Sequence, residues 1–584
     1  MREFPVPVRS AVLLSLLLCA VTATWPAPPA APKREVRAVW LTTAAGLDWP
    51  HSVDPREQQA SLRQIVASLR AAGFNTIFFQ ARARGDAYYR SPLEPWAENL
   101  TGTLGKDPGW DPLAFLVAEG HAAGMEVHAW LNVYKIRGAA PLPPSIPPHP
   151  GRAHPEWVVM HAGEGWLDPG LPEVRAWLIN VVLGLARTYD IDGVNFDYCR
   201  YPGRDFADGE SYRRFGNGAP RDRWRKENID RFVTECYDRL SAARPLLKVG
   251  ASPVGVFGAD GDPATGAVHE YYQDARGWLR AGKVDYVAPQ IYWNLGESPG
   301  DPDFARLLQG WVKASAGRHV YAGIGAYKRD VAREIPEEID AARSAGGHGQ
   351  SFFRYENIRN AGLFSGRYAT AALIPPMPWK DGIAPLPPLH IGVTEIATNV
   401  FQVEWVPSPA GDRAARYVIY RSPTRTIPSG DPRAIAGVIR GNQTVYIDTV
   451  RSPESPTAYY AVSALDPVNN ESLLSPVSGE TAREFLALRR KLGDATGLSA
   501  SLPSGGGTPR LVAYSLARRT SVNLSIILQN PGKADSTVAS LARGVMDGGL
   551  YVVGVREIPF GPGQYVVRLS AGDTTIEQPI ELTR

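Results

Sequence analysis

Asp197 stands where an alternating run, Gly193-Val194-Asn195-Phe196-Asp197, gives way to Tyr198-Cys199-Arg200-Tyr201-Pro202. The alternation reads as a short strand. From Asp197 on, a carboxylate, a phenol, a guanidinium and a proline turn arrive within six positions. A carboxylate where a buried strand opens into a loop is a common way to build a hydrolytic site. Alone, Asp197 has a blander use, capping the turn or pairing with Arg200. The residues that follow the other apolar runs weigh on that choice. Thr42 and Asp48 come first, then Gln80, Arg82, Arg84 and Asp86, then Trp130, Asn132, Tyr134 and Lys135. Ser252, Gln290, Tyr292, Trp293, Tyr327, Arg354 and Glu356 follow later strands.

Such a set suits a sugar polymer. Aromatic rings stack on the apolar faces of sugar rings, while amides and arginines bond hydroxyl and acetamido groups. Glycoside hydrolysis ordinarily uses two carboxyl groups, about 5 Å apart for retention and about 6.5–9.5 Å for inversion. Asp197 is the acid/base candidate, and Glu356 is its expected catalytic partner, with Asp48, Asp86 and Glu94 as other carboxylates in reach of the same rim. Gln80, Arg82, Trp130, Asn132, Tyr198, Arg200, Gln290, Tyr292 and Trp293 are the expected substrate-binding residues. Trp40 and Trp130 serve equally well as barrel filling, and Arg82 as a partner of Asp86.

These residues need a scaffold that gathers strand ends. From Val36 to about Tyr355 the chain repeats a short apolar strand, a polar loop and an amphipathic helix. The expected strands are Val36–Leu41, Thr76–Gln80, Glu126–Leu131, Gly193–Asp197, Lys248–Ser252, Tyr286–Ile291, Val320–Gly323 and Ser351–Arg354. Helices are expected over Gln58–Ala72, Leu113–Ala123, Val174–Thr188 and Trp224–Ala242, each with apolar residues on one face. Strands alternating with helices demand parallel pairing, and eight units match a closed (β/α)8 barrel of the TIM type rather than an open sheet. Its active site would gather at the C-terminal strand ends.

The chain has 584 residues, enough for several domains. A net charge of +3 argues against nucleic acid or an acidic polymer as partner. Arg2 and Arg9 precede the apolar run Ala11–Val21, and Val21-Thr22-Ala23 resembles a cleavage site, so residues 1–23 read as a signal peptide and 24–33 as a linker. The mature chain is then exported, to periplasm, envelope or exterior, with no transmembrane segment. Cys19 follows Leu18 rather than a small residue, which argues against lipidation. Cys199 and Cys236 could bridge but make no disulfide framework, and no Cys/His spacing marks a metal site. Pro-dense residues 373–389 close the barrel domain at about 375. Short alternating strands over 388–482 read as a β-sandwich, resembling a fibronectin type III module. A linker at 483–510 leads to a last all-β block, 511–584, of immunoglobulin-like or sorting-domain-like texture.

The motifs also carry a family resemblance. Glu35-Val36-Arg37-Ala38-Val39-Trp40-Leu41-Thr42-Thr43, Gly73 to Arg82, Tyr88-Tyr89-Arg90-Ser91, Asp111-Pro112-Leu113, Gly124 to Asn132, Asp192 to Pro202 and Pro289 to Trp293 resemble, in order, the glycosyl-hydrolase-like 10 family. The resemblance spans about 34–375. It implies a TIM-type barrel in exported or envelope proteins that hydrolyses glycan strands, peptidoglycan glycan above all, without a cofactor. The fourth-strand run also resembles that of family 18 chitinases, except that Cys199 stands where those enzymes have their acid. A route in which the substrate's N-acetyl group attacks, with Asp197 and Tyr292 holding it, would need a proton donor from elsewhere. The expected alternatives are a non-catalytic glycan-binding protein and a hydrolase of another exported polysaccharide.

Overall fold

The computed structural model describes residues 31–582 apart from 138–140, 257–265, 297–300, 360–363, 365, 398, 408–413, 451–457, 478–494, 502–510, 519, 530–534, 547–548 and 555–562. The leader at 1–23 and most of the linkers at 24–33 and 483–510 lie outside the described residues.

Eight parallel strands close into a barrel: β1 Val36–Leu41, β2 Thr76–Arg82, β3 Glu126–Asn132, β4 Gly193–Asp197, β5 Lys248–Ala251, β6 Tyr286–Val287, β7 His319–Ile324 and β8 Gly349–Phe352. Each pairs with the next, and β8 returns to β1 from Val36↔Gly349 to Val39↔Phe352. A helix follows every strand: α1 Pro55–Ala71, α2 Pro112–Ala122, α3 Pro172–Thr188, α4 Arg221–Ala243, α5 Ala275–Arg280, α6 Phe304–Lys313, α7 Ile335–Ser344 and α8 Tyr355–Ile358. This is the expected (β/α)8 order. One strand is shorter than its apolar run: β6 ends at Val287, because Pro289 has no N–H for the ladder, and pairing resumes only as isolated bridges from Gln290 to Val254 and Gly323.

Every strand is buried on both faces, and buried polar residues such as His128, Asn195 and Gln350 interrupt the apolar runs. Outward side chains such as Val39, Ile77, Phe79, Val127 and Phe196 meet helix faces such as Leu62, Ile65, Val66 and Leu69 of α1. Inward Ala38, Trp40, Phe78, Trp130, Tyr286 and Tyr321 fill the barrel as a separate core. Phe78 stacks on Trp40 at 4.4 Å and Tyr286 on Tyr321 at 4.9 Å. Gly250 makes room for this filling, since a Cβ there would lie 2.1 Å from the Tyr286 ring. Helix starts follow local chemistry. Asp54 and Asp111 accept the Arg56 and Ala114 N–H groups, each ahead of a proline in the first helical turn.

Between β3 and α3 the chain inserts an antiparallel sheet that the sequence reading did not anticipate. Its strands are Lys135–Ile136, Val158–His161 and Glu164–Leu167, the last in the middle. Beyond the barrel, β9 His390–Ala397, β10 Val400–Val406 and a later strand, β13 Val445–Thr449, form one antiparallel sheet. A second contains β11 Arg416–Ser422 flanked by β12 Ile435–Arg440 and β14 Tyr459–Leu465. The two share a core of Ile391, Val403, Trp405, Tyr417, Ile419 and Val462. The last block holds a three-stranded and a four-stranded antiparallel sheet around Tyr514, Leu524, Ile526 and Val567.

The sandwich packs against the N-terminal end of the barrel. Arg416 of β11 reaches Glu126 at the start of β3 at 2.8 Å, Asn469 donates to the same carboxylate at 3.0 Å, and Lys248 of β5 also contacts it. At Gly124, just before β3, a Cβ would meet the Val438 carbonyl of β12 at 2.4 Å. Cys199 and Cys236 are buried free thiols, so the possible bridge is not formed. Among the described residues no helix is long and apolar enough to cross a membrane.

Candidate active site

A cleft of about 350 Å³ opens at the C-terminal end of the barrel. Of the residues expected to act there, Asp197, Gln80, Trp130, Asn132, Tyr198, Gln290 and Tyr292 line it, joined by Trp40, Leu47, Arg84, Lys135, Tyr327 and Phe353. Among the described residues that line it, Asp197 is the only carboxylate. Phe353 was not anticipated; it follows β8 by one position, inside the run read as strand, and its ring stacks at 5.8 Å on Tyr292.

Asp197 is oriented by three donors. The Tyr198 N–H gives to Oδ1 at 2.8 Å, the Gln290 amide to the same oxygen at 3.2 Å and the Trp130 indole to Oδ2 at 3.2 Å. Burial pushes its carboxyl up to about 6 despite those bonds and the charge of Arg200. No ion pair offsets the burial, so proton uptake by the acid falls within reach of neutral pH. Tyr198 supports this arrangement from a left-handed backbone conformation, φ 48°. That region is uncommon for a bulky residue and marks a position whose geometry the surroundings impose.

The remaining polar groups are positioned by their own bonds. Gln80 Oε1 accepts the Thr43 and Ala44 N–H groups at 3.0 and 2.8 Å, which ties the β1 loop to the rim. Asn132 donates to the Ala83 carbonyl at 2.7 Å, while its Oδ1 is buried without a partner. An unpaired buried acceptor in a cleft wall is a place for a ligand N–H or O–H. Gln290 also donates to the Ser252 carbonyl at 3.0 Å.

Four expected residues do not line the cleft. Arg82 is buried in an ion pair with Glu94 at 2.8 Å and bonds the carbonyls of Asn132 and Val133, so it braces β2 against β3. Its partner is Glu94 rather than Asp86, whose carboxylate accepts the Arg84 N–H. Arg200 lies over the Tyr198 and Tyr271 rings at 5.2 and 4.8 Å. Trp293 packs against the core beneath Lys328. Glu356 lies in the first turn of α8, where its carboxylate pairs with Arg359 at 2.9 Å on the surface. Asp48, the other rim carboxylate, is consumed by Thr42, Arg354 and the Glu356 N–H. Cys199, where a chitinase-like run would carry its acid, is buried and its thiol is pushed well up by that burial, so it stays protonated. The described residues contain no cluster suited to a metal ion.

The chain is similar in sequence to several known glycosyl hydrolases. Glycosyl hydrolase YngK of Bacillus subtilis (strain 168) is 33% identical over 480 residues, covering 76% of this chain and 92% of that protein. Glycosyl hydrolase DigH of Escherichia coli (strain K12) is 34% identical over 363 residues, covering 54% of this chain and 82% of that protein. The glycoside hydrolase domain of PgaB from Bordetella bronchiseptica aligns with 56% of this chain and 99% of that domain at 16% identity, with a TM-score of 0.41, too slight a likeness to carry an argument. The family model described as glycosyl hydrolase-like 10 matches residues 35–340, more than half of the sequence and nearly all of the barrel, and the chain belongs to that family.

Proposed function

We propose that the protein is an exported glycoside hydrolase that cleaves N-acetylated glycan strands of the bacterial cell wall, with Asp197 as its acid/base. The observation that carries this reading is the state of Asp197: a carboxylate with no second one among the described lining residues, held by three donors, with its carboxyl pushed up to about 6 by burial. Membership of a glycosyl hydrolase-like family supports the reaction class. The aromatic and amide groups around Asp197 support an N-acetyl sugar as the ligand.

The chemistry follows from the carboxylate count. Protonated Asp197 gives its proton to the glycosidic oxygen as the bond from that oxygen to C1 breaks. The substrate's acetamido carbonyl oxygen closes on C1, supplying the nucleophile that no second carboxylate among the described lining residues offers. Ionised Asp197 then takes a proton from the water that attacks C1 and reopens the ring, which retains the anomeric configuration. Asn132 Oδ1 accepts the acetamido N–H, and the Tyr292 and Phe353 rings border the sugar. No metal or organic cofactor enters these steps.

Incubating the wild type and Asp197→Asn with peptide-free glycan strands tests the proposal. New reducing ends are expected from the wild type alone, and kcat/KM should fall as pH rises through about 6, since the acid must be protonated. A rate that instead climbs through that pH would make Asp197 a base or an acetamido-orienting group. The single lining carboxylate favours one second reading, a non-catalytic glycan binder, which predicts binding without product from either protein. We assign residues 388–482 to a fibronectin type III-like module that docks the barrel, supported by the two packed antiparallel sheets.

A further inference from the structure

The rim of the cleft is chemically two-sided. Trp40, Tyr292, Tyr327 and Phe353 come from β1 and the ends of β6, β7 and β8, which are neighbours around the barrel. They form an aromatic wall. Arg84, Lys135 and Tyr198 come from beyond β2, β3 and β4, also neighbours, and form the opposite wall. Asp197, at the end of β4, bonds Trp130 of β3 and Gln290 beyond β6.

The second wall carries unspent positive charge. The Arg84 side chain makes no hydrogen bond or ion pair among the described residues, although its backbone is fixed by Asp86 and Arg137. Lys135 sits 4.9 Å over the Tyr198 ring and 3.5 Å from Glu164. Arg200, outside the cleft lining, covers the same ring at 5.2 Å and makes no ion pair among the described residues, although its charge acts on Asp197. Lys135 and Arg200 thus flank the Tyr198 ring while Arg84 lines the same wall, and among the described residues Glu164 is their one ion-pair partner; the left-handed Tyr198 backbone helps hold the ring between the two. A neutral sugar can hydrogen-bond such a wall but does not balance its charge. A carboxylate does, because a planar guanidinium receives it through two parallel bonds.

We propose that this wall is an anion subsite in which Arg84, aided by Lys135, receives the carboxylate of an ether-linked acid group on an N-acetyl sugar beside the scissile bond. The proposal rests on the glycoside hydrolase reading. It adds direction: in a strand that alternates neutral and carboxylated N-acetyl sugars, the carboxylated unit takes the cationic wall and the neutral unit the aromatic one. The polymer then binds in one register, and only one of its two linkage types is cut.

The test is titration calorimetry of the full chain with an alternating N-acetylglucosaminyl–N-acetylmuramyl tetrasaccharide and with the same tetrasaccharide after conversion of its carboxyls to methylamides. The wild type should prefer the acid by about tenfold or more, the size of a charge-assisted bond. Arg84→Gln should bring that preference close to one, and Arg84→Lys should restore part of it. Equal wild-type affinity for acid and amide, or a preference that survives in Arg84→Gln, overturns the subsite. Product analysis with the wild type should yield a single kind of reducing-end sugar; a mixture overturns the single register. If the wild type cleaves nothing while the acid preference stands, the hydrolase reading fails and the subsite survives. Cleavage of acid and amide alike with equal affinity has the opposite meaning.

Discussion

Each end of the barrel buries a carboxylate, and the two are treated in opposite ways. At the N-terminal end, Glu126 meets Lys248 of β5, Arg416 of β11, Asn469 and, at 3.1 Å, His128. Burial would push its carboxyl up, but Lys248, Arg416 and His128 outweigh it and hold the group well below the usual range. At the C-terminal end, Asp197 has neutral donors in place of contacting cations, burial prevails, and the carboxyl rises to about 6. Pairing turns a buried acid into a permanent charge that locks two modules together. Orientation without pairing leaves it able to exchange a proton, which is what acid–base chemistry requires.

The largest effect should come from removing the exchangeable proton. Asp197→Asn should lower glycan cleavage by about 10²–10⁴-fold, the usual weight of a positioned acid, measured as new reducing ends. Its effect on stability has the other sign. The folded carboxyl is raised from 3.8 to about 6, so the stability tied to its protonated form is full below about pH 4 and is lost as pH rises to about 6. By linkage that loss is about 3 kcal/mol. The variant should therefore unfold at higher denaturant concentration than the wild type at pH 7, by less than the full amount because one amide N–H would face the Trp130 indole N–H. A destabilised variant at pH 7 would erase the contrast between the two ends.

Glu126→Gln should do the reverse. It leaves Lys248 and Arg416 buried without their anion, a loss of about 3–5 kcal/mol, while the chemistry of the cleft is retained in whatever fraction folds. Because the folded carboxyl lies well below its ordinary value of 4.5, the stability it contributes is present above that pH and lost as pH falls below it. Denaturant midpoints at pH 3–7 for wild type and variant should converge on the acid side. A pH-independent difference would mean that Glu126 acts through packing alone.

Much of the cleft end could be read in the sequence, and little of the other end. The strands print themselves as short apolar or alternating runs between loop and helix signals, so the barrel order and the position of Asp197 follow from local pattern. The docking of Arg416 onto Glu126 joins residues 290 positions apart, and no local pattern encodes that. The same limit explains Arg82: its charge suggested a sugar ligand, but its partner Glu94 approaches only through the folded loop. The inserted sheet was missed because its strands are two to four residues long and partly exposed, too short to show a period.

Asn132 gives a middle-sized effect that belongs to the cleft end alone. Its Oδ1 is a buried acceptor awaiting a donor. Asn132→Ala should raise KM for N-acetylated strands by about tenfold, the worth of one good hydrogen bond. A rise in KM matched by no change in urea midpoint would separate ligand binding from support of the rim. An equal loss in stability alone would assign Asn132 to bracing β3 against Ala83.

The smallest effect is expected at Glu356, and it sharpens the contrast by supplying a carboxylate of a third kind. Glu356 is neither locked by buried cations nor left poised in the cleft; it is solvated and paired with Arg359 one helical turn away. Exposed pairs of that spacing contribute only about 0.2–0.5 kcal/mol, so Glu356→Gln should shift the urea midpoint barely and leave kcat/KM within about twofold. The Glu356 backbone N–H, not its carboxylate, is what holds Asp48 beside the rim, and glutamine keeps that N–H. Loss of cleavage in this variant would bring α8 into the reaction and restore a two-carboxylate mechanism. Retained cleavage leaves Asp197 as the carboxylate on which proton transfer turns, with the nucleophile coming from the substrate.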